Sequence, residues 1–199
     1  MKIAKKNLDI SAPGKLMLAG EWVVLELGNP CIVMAVDKRV HVQIKESDEI
    51  SISLDDFKIR EKKADFDGRQ LIWREEIIEK EREKLVFIKG AIETALQYLE
   101  QSGKLKPFKI RTFSEESQIR VDRVVKKIGF GSSAAAAVAT IAGLLSFYNF
   151  EIETKKSKEI IYKLATIAHY FAQGKVGSAF DIAASTYGGI IVYKRFDPD

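Results

Sequence analysis

Ile128-Gly129-Phe130-Gly131-Ser132-Ser133-Ala134-Ala135-Ala136-Ala137 is the stretch on which the reading of this chain turns. Its glycines strip side chains from the backbone, and the small apolar run that follows, Ser132–Tyr148, has the composition of a helix. A glycine turn entering a helix leaves N–H groups without partners and adds the positive end of the helix dipole, so phosphate can approach. Ser132 and Ser133 can also cap the helix, with Ser132 the better cap, and capping is compatible with ligand contact.

The string alone admits more than one reading. A Walker A loop needs Gly-x-x-x-x-Gly-Lys-Ser/Thr, and neither Gly14-Lys15-Leu16 nor Gly174-Lys175-Val176 supplies it. Gly129-Phe130-Gly131-Ser132-Ser133-Ala134 fits the dinucleotide pattern, and Glu151 and Glu153 lie at a suitable distance for a ribose contact. That pattern opens a βαβ array, whereas here it follows more than half the chain and the strand–helix repeats are absent. A plain glycine turn before a core helix is the structural alternative to any phosphate-binding role for the string.

Working outward, Ser157–Gln173 reads as an amphipathic helix, 177–185 as a short helix and Gly188–Tyr193 as a strand. Upstream, Leu85, Ile88, Ile92, Ala95, Leu96 and Leu99 mark a helix over Leu85–Gln101 closed by Gly103, and Pro107–Phe113 alternates as a strand. Earlier still, strands are predicted at Asn7–Ser11, Leu16–Leu25, Cys31–Val36, Val40–Lys45 and Ile50–Leu54, with a turn at Ala12-Pro13-Gly14-Lys15. Segment 55–84 is charged and reads as a peripheral insertion within a single domain over residues 1–199. Sheet first and helices later argues for an α+β class, a mixed sheet packed with helices.

Composition narrows the function. The chain is 46% apolar and 30% charged, with net charge +4, ordinary for a globular protein. Its basic residues alternate with acids, as in Lys80-Glu81-Arg82-Glu83-Lys84, which describes a solvated face and argues against nucleic acid. An anionic small substrate suits the balance. Cys31 is the only cysteine, so no internal disulfide forms, and its neighbours Ile32, Val33 and Met34 suggest a buried thiol in a strand. His41 and His169 are too few for a zinc cluster. No apolar core follows Met1-Lys2-Ile3-Ala4-Lys5-Lys6, so no signal peptide is read. Ala134–Phe150 is interrupted by Thr140, Gly143, Ser146 and Asn149 and reads as a buried helix, not a membrane span. A cytoplasmic location is expected.

A second stretch, Ser11-Ala12-Pro13-Gly14-Lys15-Leu16-Met17-Leu18-Ala19-Gly20-Glu21, resembles the first motif of the GHMP kinases, small-molecule kinases for galactose, homoserine, mevalonate and phosphomevalonate. The glycine stretch with Lys127 before it resembles their second, ATP-phosphate motif, in family order and at family-like separation. Within the family, Ala19–Leu25, Ala35–Val40 and above all Ala168–Ala184 look most like the phosphomevalonate kinase branch. Departures from the pattern are Lys126 and Lys127 where many members carry proline, Phe130 for the usual leucine, and Ala179 where glycine is common. The resemblance implies the family's N-terminal fold, like domain 2 of ribosomal protein S5. It covers nearly all of this chain but only the N-terminal part of the family. The family's second, ferredoxin-like domain with its third motif is therefore expected to be absent from the chain: either the chain is a fragment of a longer protein or a separate partner chain supplies the rest, with a homodimer as a further alternative.

By the same resemblance, the cofactors are ATP and Mg²⁺. The nucleotide phosphates would be held by Gly129, Phe130, Gly131, Ser132, Ser133 and Ala134, with Ser133 at the position that can touch Mg²⁺. Asp181 would be the catalytic acid, acting as base or orienter, with a plain helix N-cap as its other reading. Lys15 would stabilise the transferring phosphoryl group and pair with Asp181. Lys175, Ser178, Lys194 and Arg195 are candidates for holding a phosphorylated substrate, with Lys175 and Ser178 preferred. Glu21 would brace the turn or the lysine, and His169 reads as a structural residue on its helix. No second acidic Mg²⁺ ligand stands out, and an ion held largely by phosphates and water needs none. The implied reaction is phosphorylation of 5-phosphomevalonate to diphosphomevalonate. Mevalonate or another small alcohol as substrate, and a non-catalytic nucleotide- or partner-binding domain, are the alternatives.

Overall fold

The computed structural model describes residues 7–101, 103, 105–115, 118–121, 124–127 and 129–196. Its central feature is a pair of long antiparallel strands, β1 (Asn7–Ala19) and β2 (Pro30–Glu46). The expected turn at Ala12–Lys15 is not a turn: β1 runs straight through it. Pro13 is tolerated because β1 is the edge of the sheet, where a missing N–H breaks no ladder bond on the outer side. The strand expected over Leu16–Leu25 ends at Ala19. Val23–Leu25 is a single 3₁₀ turn that buries Val24. Likewise Cys31–Val36 and Val40–Lys45 are two halves of β2.

The register of the pair slips at the Pro-Gly step, because Pro13 faces Arg39 but Gly14 faces Val36. This bulge changes which positions point inward. Val40, Val42 and Ile44 are buried on one side of it, Cys31 and Val33 on the other. Such a slip bends the sheet and re-aims its side chains. With β1 along one edge of β2, the other edge takes β6 (Phe108–Ser114) at Val40–Glu46 and β9 (Ile190–Lys194) at Pro30–Met34. Beyond β6 lie β3 (Ile50–Leu54), parallel to it, then β4 (Ile59–Phe66) and β5 (Leu71–Trp73). Segment 55–84 thus forms the far edge of the same sheet, and its Ile59, Ala64, Leu71 and Ile77 are buried in the main core. A separate hairpin, β7 (Gln118–Val121) and β8 (Val124–Lys127), was not anticipated and leads to the glycine stretch.

Helix α2 (Ser132–Phe147) lies on the sheet, flanked by α1 (Glu79–Glu100) and α3 (Lys155–Ala172). Its alanines allow a close approach, and Gly143 sits so near the sheet that a Cβ there would stand 2.9 Å from the Ile44 side chain. Thr154 caps α3 by accepting the Ser157 N–H at 3.1 Å. The short helix α4 (Phe180–Tyr187) covers the β1–β2–β9 half, where Ala183 and Ala184 pack with Val24, Cys31, Val33 and Tyr193 in a second, smaller core. Cys31 is buried as expected, and burial pushes its thiol pKa up. No helix among the described residues is long and apolar enough to cross a membrane.

Candidate active site

The glycine stretch docks on the bulge of β1. Phe130 O accepts the Lys15 N–H at 2.7 Å, and a Cβ on Gly14 would lie 2.5 Å from that same oxygen. Gly14 is therefore required by contact, and the bulge presents the bare backbone that the loop needs. Gly131 has φ of +70° and is itself the N-cap of α2. This corrects the expectation that Ser132 caps the helix: no side chain does so. The first backbone bond at this end is Ala135 N–H to Gly131 O at 3.2 Å. The N–H groups of Ser132, Ser133 and Ala134 thus have no acceptor among the described residues. Three unpaired donors at the positive end of a 16-residue helix form a cradle for an anion. Gly129 stands in open space, with nothing within 4 Å of the point a Cβ would occupy.

Lys15 joins this cradle to α4. Its aliphatic stem lies against Gly131, where an added Cβ would be 3.0 Å from Lys15 Cγ. Its ammonium sits 5.1 Å from the centre of the Phe180 ring, a cation–π contact. The next residue is Asp181. The expected Lys15–Asp181 ion pair is not formed among the described residues, and the ammonium rests on the aromatic neighbour instead. Asp181 is not the N-cap of α4 either, because Ala179 holds that position at φ +61°. The carboxylate lies in the first turn and accepts the Ile182 N–H at 2.9 Å, where the helix dipole favours negative charge.

Ser133 is met by a side chain from α3. His169 is 4% exposed, its Nε2 is 3.2 Å from Ser133 Oγ, and its ring lies 4.9 Å from that of Phe87. Burial lowers the imidazole pKa, and the nearby Asp181 charge opposes that shift. The loop between α3 and α4 is bent by positive φ at Lys175, Gly177 and Ala179. Ser178 is buried in it, and its carbonyl accepts the Tyr193 hydroxyl from β9. Lys175 is exposed with its ammonium over the Phe171 ring at 5.6 Å. Ser178, Gly177 and His169 line one crevice at the end of α3. Burial and the Tyr162 hydroxyl at 3.5 Å push the Tyr193 pKa up.

Not every candidate joins this group. Arg195 donates to Leu25 O and accepts the Gly28 N–H, and Lys194 lies beside Gly28, so both serve the β1–β2 connection. Glu21 is exposed in the turn after β1. Phe180, Phe87 and Tyr193 were missed by sequence reasoning. Phe180 carried a signal in its adjacency to Asp181, whereas the roles of Phe87 and Tyr193 depend on partners remote in the chain. Beside the α2 N-terminus runs a groove of about 200 Å³ whose walls include Phe57, Lys84, Phe87, Ser132 and Ser133. Among the described residues no cluster of three or more His, Cys, Asp or Glu side chains could hold a metal.

Residues 87–189 match the GHMP kinases N terminal domain. The chain is 33% identical to a phosphomevalonate kinase of Streptomyces sp. over 99% of its length and 52% of that relative. It is 35% identical to the mevalonate kinase of Pyrococcus horikoshii over 97% of its length and 53% of that relative. Its fold superposes on Streptococcus pneumoniae phosphomevalonate kinase in complex with phosphomevalonate and AMPPNP with a TM-score of 0.73, at 23% identity, covering 96% of this chain and 50% of that one. The chain thus spans about half the length of the curated relatives it matches. The family match contains the glycine-loop helix, the buried His169 and the Asp181 turn, and the chain belongs to the GHMP kinases through their N-terminal domain.

Proposed function

We propose that this chain forms the nucleotide-phosphate and substrate side of a kinase that moves the γ-phosphoryl group of ATP onto the phosphate of 5-phosphomevalonate. A phosphate oxygen of the substrate forms the new bond to the γ-phosphorus, the bond to the β-phosphate oxygen breaks, and diphosphomevalonate and ADP result. The observation that carries this reading is the path of Lys15, whose stem crosses Gly131 and whose ammonium reaches Phe180 beside Asp181. One side chain thereby runs from the cradle to the aromatic residue that precedes the acid, and a phosphoryl-transfer site needs both the cradle and the acid. The Streptomyces relative, named phosphomevalonate kinase, supports the choice of substrate.

In this reading the N–H groups of Ser132, Ser133 and Ala134, which have no acceptor among the described residues, hold nucleotide phosphates, and the groove along Phe57 and Phe87 accepts the base. Lys15 stabilises charge on the group in transit. Asp181 orients the attacking oxygen and accepts its proton if it carries one. Lys175 and Ser178 hold the substrate's phosphate and carboxylate. Ser133 Oγ, at the mouth of the cradle, fits a Mg²⁺ ion bound mainly through phosphates and water. When bound, that ion neutralises charge on the β- and γ-phosphates.

ADP release measured across phosphomevalonate, mevalonate, homoserine and galactose tests the proposal. Turnover with phosphomevalonate alone is expected, and turnover with a different substrate instead would overturn it. Mevalonate is the second reading, favoured by the likeness to the Pyrococcus enzyme. The outer face of the β1–β2–β9 half exposes Leu16, Leu18, Ile32, Ile190 and Val192. Ile32 and Val192 face each other across the ladder, so the patch is contiguous, as at a protein interface. In the working enzyme this face is covered by further polypeptide of the kind that makes the relatives about twice as long. Sedimentation of the chain by itself should then show self-association, reduced by Ile190→Lys and Val192→Lys.

A further inference from the structure

We infer that His169 is a positioning residue for Ser133, holding its hydroxyl so that the oxygen faces the space at the α2 N-terminus where a cation-bound triphosphate would lie. The inference rests on the function proposed above. Its basis is a contact between two consecutive helices, α2 and α3: His169 Nε2 stands 3.2 Å from Ser133 Oγ. A free serine hydroxyl in the first turn of a helix rotates among three wells. One bond from a rigid partner removes that freedom before any ligand arrives.

The partner here is rigid. His169 is 4% exposed and packs at 4.9 Å, tilted by 31°, on the Phe87 ring of α1. Its backbone carbonyl is also engaged, accepting the Gln173 N–H at 2.9 Å. Three helices therefore meet at one imidazole whose ε nitrogen is aimed at the phosphate-loop serine. A histidine needed only for packing would serve as well with its nitrogen turned elsewhere. Here the Nε2 of the ring meets a residue whose N–H has no acceptor among the described residues.

The ε position is the discriminating element. Glutamine can place an amide atom where Nε2 lies, whereas leucine fills similar volume with no polar atom. Binding of a non-hydrolysable ATP analogue to the full chain is measured with Mg²⁺ and again in excess EDTA, for wild type, His169→Leu, His169→Gln, Ser133→Ala and the Ser133→Ala/His169→Leu double variant. The expected result is about a tenfold loss for His169→Leu with Mg²⁺ and little change in EDTA, with His169→Gln within about twofold of wild type. The double variant should bind no more weakly than Ser133→Ala, since His169 acts through that hydroxyl. Equal losses with and without Mg²⁺, or additive losses in the double variant, would show a merely structural histidine and overturn the inference. A wild-type chain that binds no nucleotide would overturn the proposed function instead, and the inference with it. Thermal midpoints of all variants separate loss of the contact from loss of the fold.

Discussion

The backbone N–H of Lys15 donates to the carbonyl of Phe130 at 2.7 Å. This one bond fastens the glycine stretch of the second half of the chain to the bulge in the first strand. Gly14 makes it possible, because any side chain there would meet the accepting oxygen at 2.5 Å. The two motifs are thus a single structural unit: the first supplies the seat and the second supplies the cradle.

Gly14→Ala should displace the loop, since a Cβ contact at 2.5 Å with backbone has no flexible partner to yield. Overpacking of this kind costs about 1–3 kcal/mol, read as a fall in the urea midpoint, and nucleotide affinity should fall with it. Gly129→Ala is the contrast, with nothing within 4 Å of the new methyl group. Its urea midpoint should stay near wild type, so any loss of affinity would report the approach of ligand to backbone.

Lys15→Met keeps the stem that packs on Gly131 and removes the ammonium over Phe180. It should lower the rate of phosphoryl transfer by about 10²–10³-fold with little effect on stability. Asp181→Asn should lower it by about 10²–10⁴-fold. Steady-state ADP release by the enzyme containing this chain is the measurement, and full activity in both variants would remove these residues from the reaction.

Tyr193→Phe deletes the hydroxyl that donates to Ser178 O and leaves a buried carbonyl unpaired. The expected cost is about 1–3 kcal/mol, seen as a lower urea midpoint at unchanged m-value. Because Ser178 belongs to the loop before Asp181, the substrate KM should rise as well.

Ala179 holds a left-handed conformation at φ +61° as the N-cap of α4. Such a conformation costs a non-glycine residue roughly 1–2 kcal/mol, of which about 0.5–1 is returned to the unfolded chain when glycine replaces it. Ala179→Gly should therefore raise stability by up to about 1 kcal/mol. A clear loss in thermal midpoint would mean that the methyl group contributes packing that outweighs the strain.

His169 adds a pH dependence to stability. Its unfolded imidazole titrates near the ordinary value of about 6.5, and burial holds the folded one lower. Between those values the unfolded chain binds more protons. The histidine's contribution is then complete above about pH 6.5 and is lost as pH falls through the folded value. Urea midpoints at successive pH values from 7.5 downward should decline more steeply for wild type than for His169→Gln. Superimposable slopes would show that the buried imidazole titrates normally.

Local signals account for much of what was legible. Helices α2, α3 and α4 and strand β9 followed from periodicity and small-residue composition, since each is decided within a few turns of its own sequence. Lys15, Ser133 and Asp181 were singled out by the resemblance of the short stretches that contain them to GHMP kinase motifs. The failures have one cause. Pro13-Gly14 reads locally as a turn, and only pairing with β2 across a slipped register makes it mid-strand. Ser132 reads as a cap, but the left-handed Gly131 takes that place once the loop is pinned by Phe130.

From the amino-acid order came the glycine loop, its helix and the α+β class, because these depend on neighbours in the chain, whereas Lys15 and Asp181 were singled out only through the resemblance of their stretches to GHMP kinase motifs. The tertiary structure alone decided that Lys15 would rest on Phe180 and not pair with Asp181, that His169 would face Ser133, and that Tyr193 would hold Ser178. The first of those relationships joins opposite parts of the chain, and the other two join neighbouring elements whose facing sides no local period specifies. They are set by how α3, α4 and β9 pack on a bent sheet, and no period or spacing in the sequence encodes that packing.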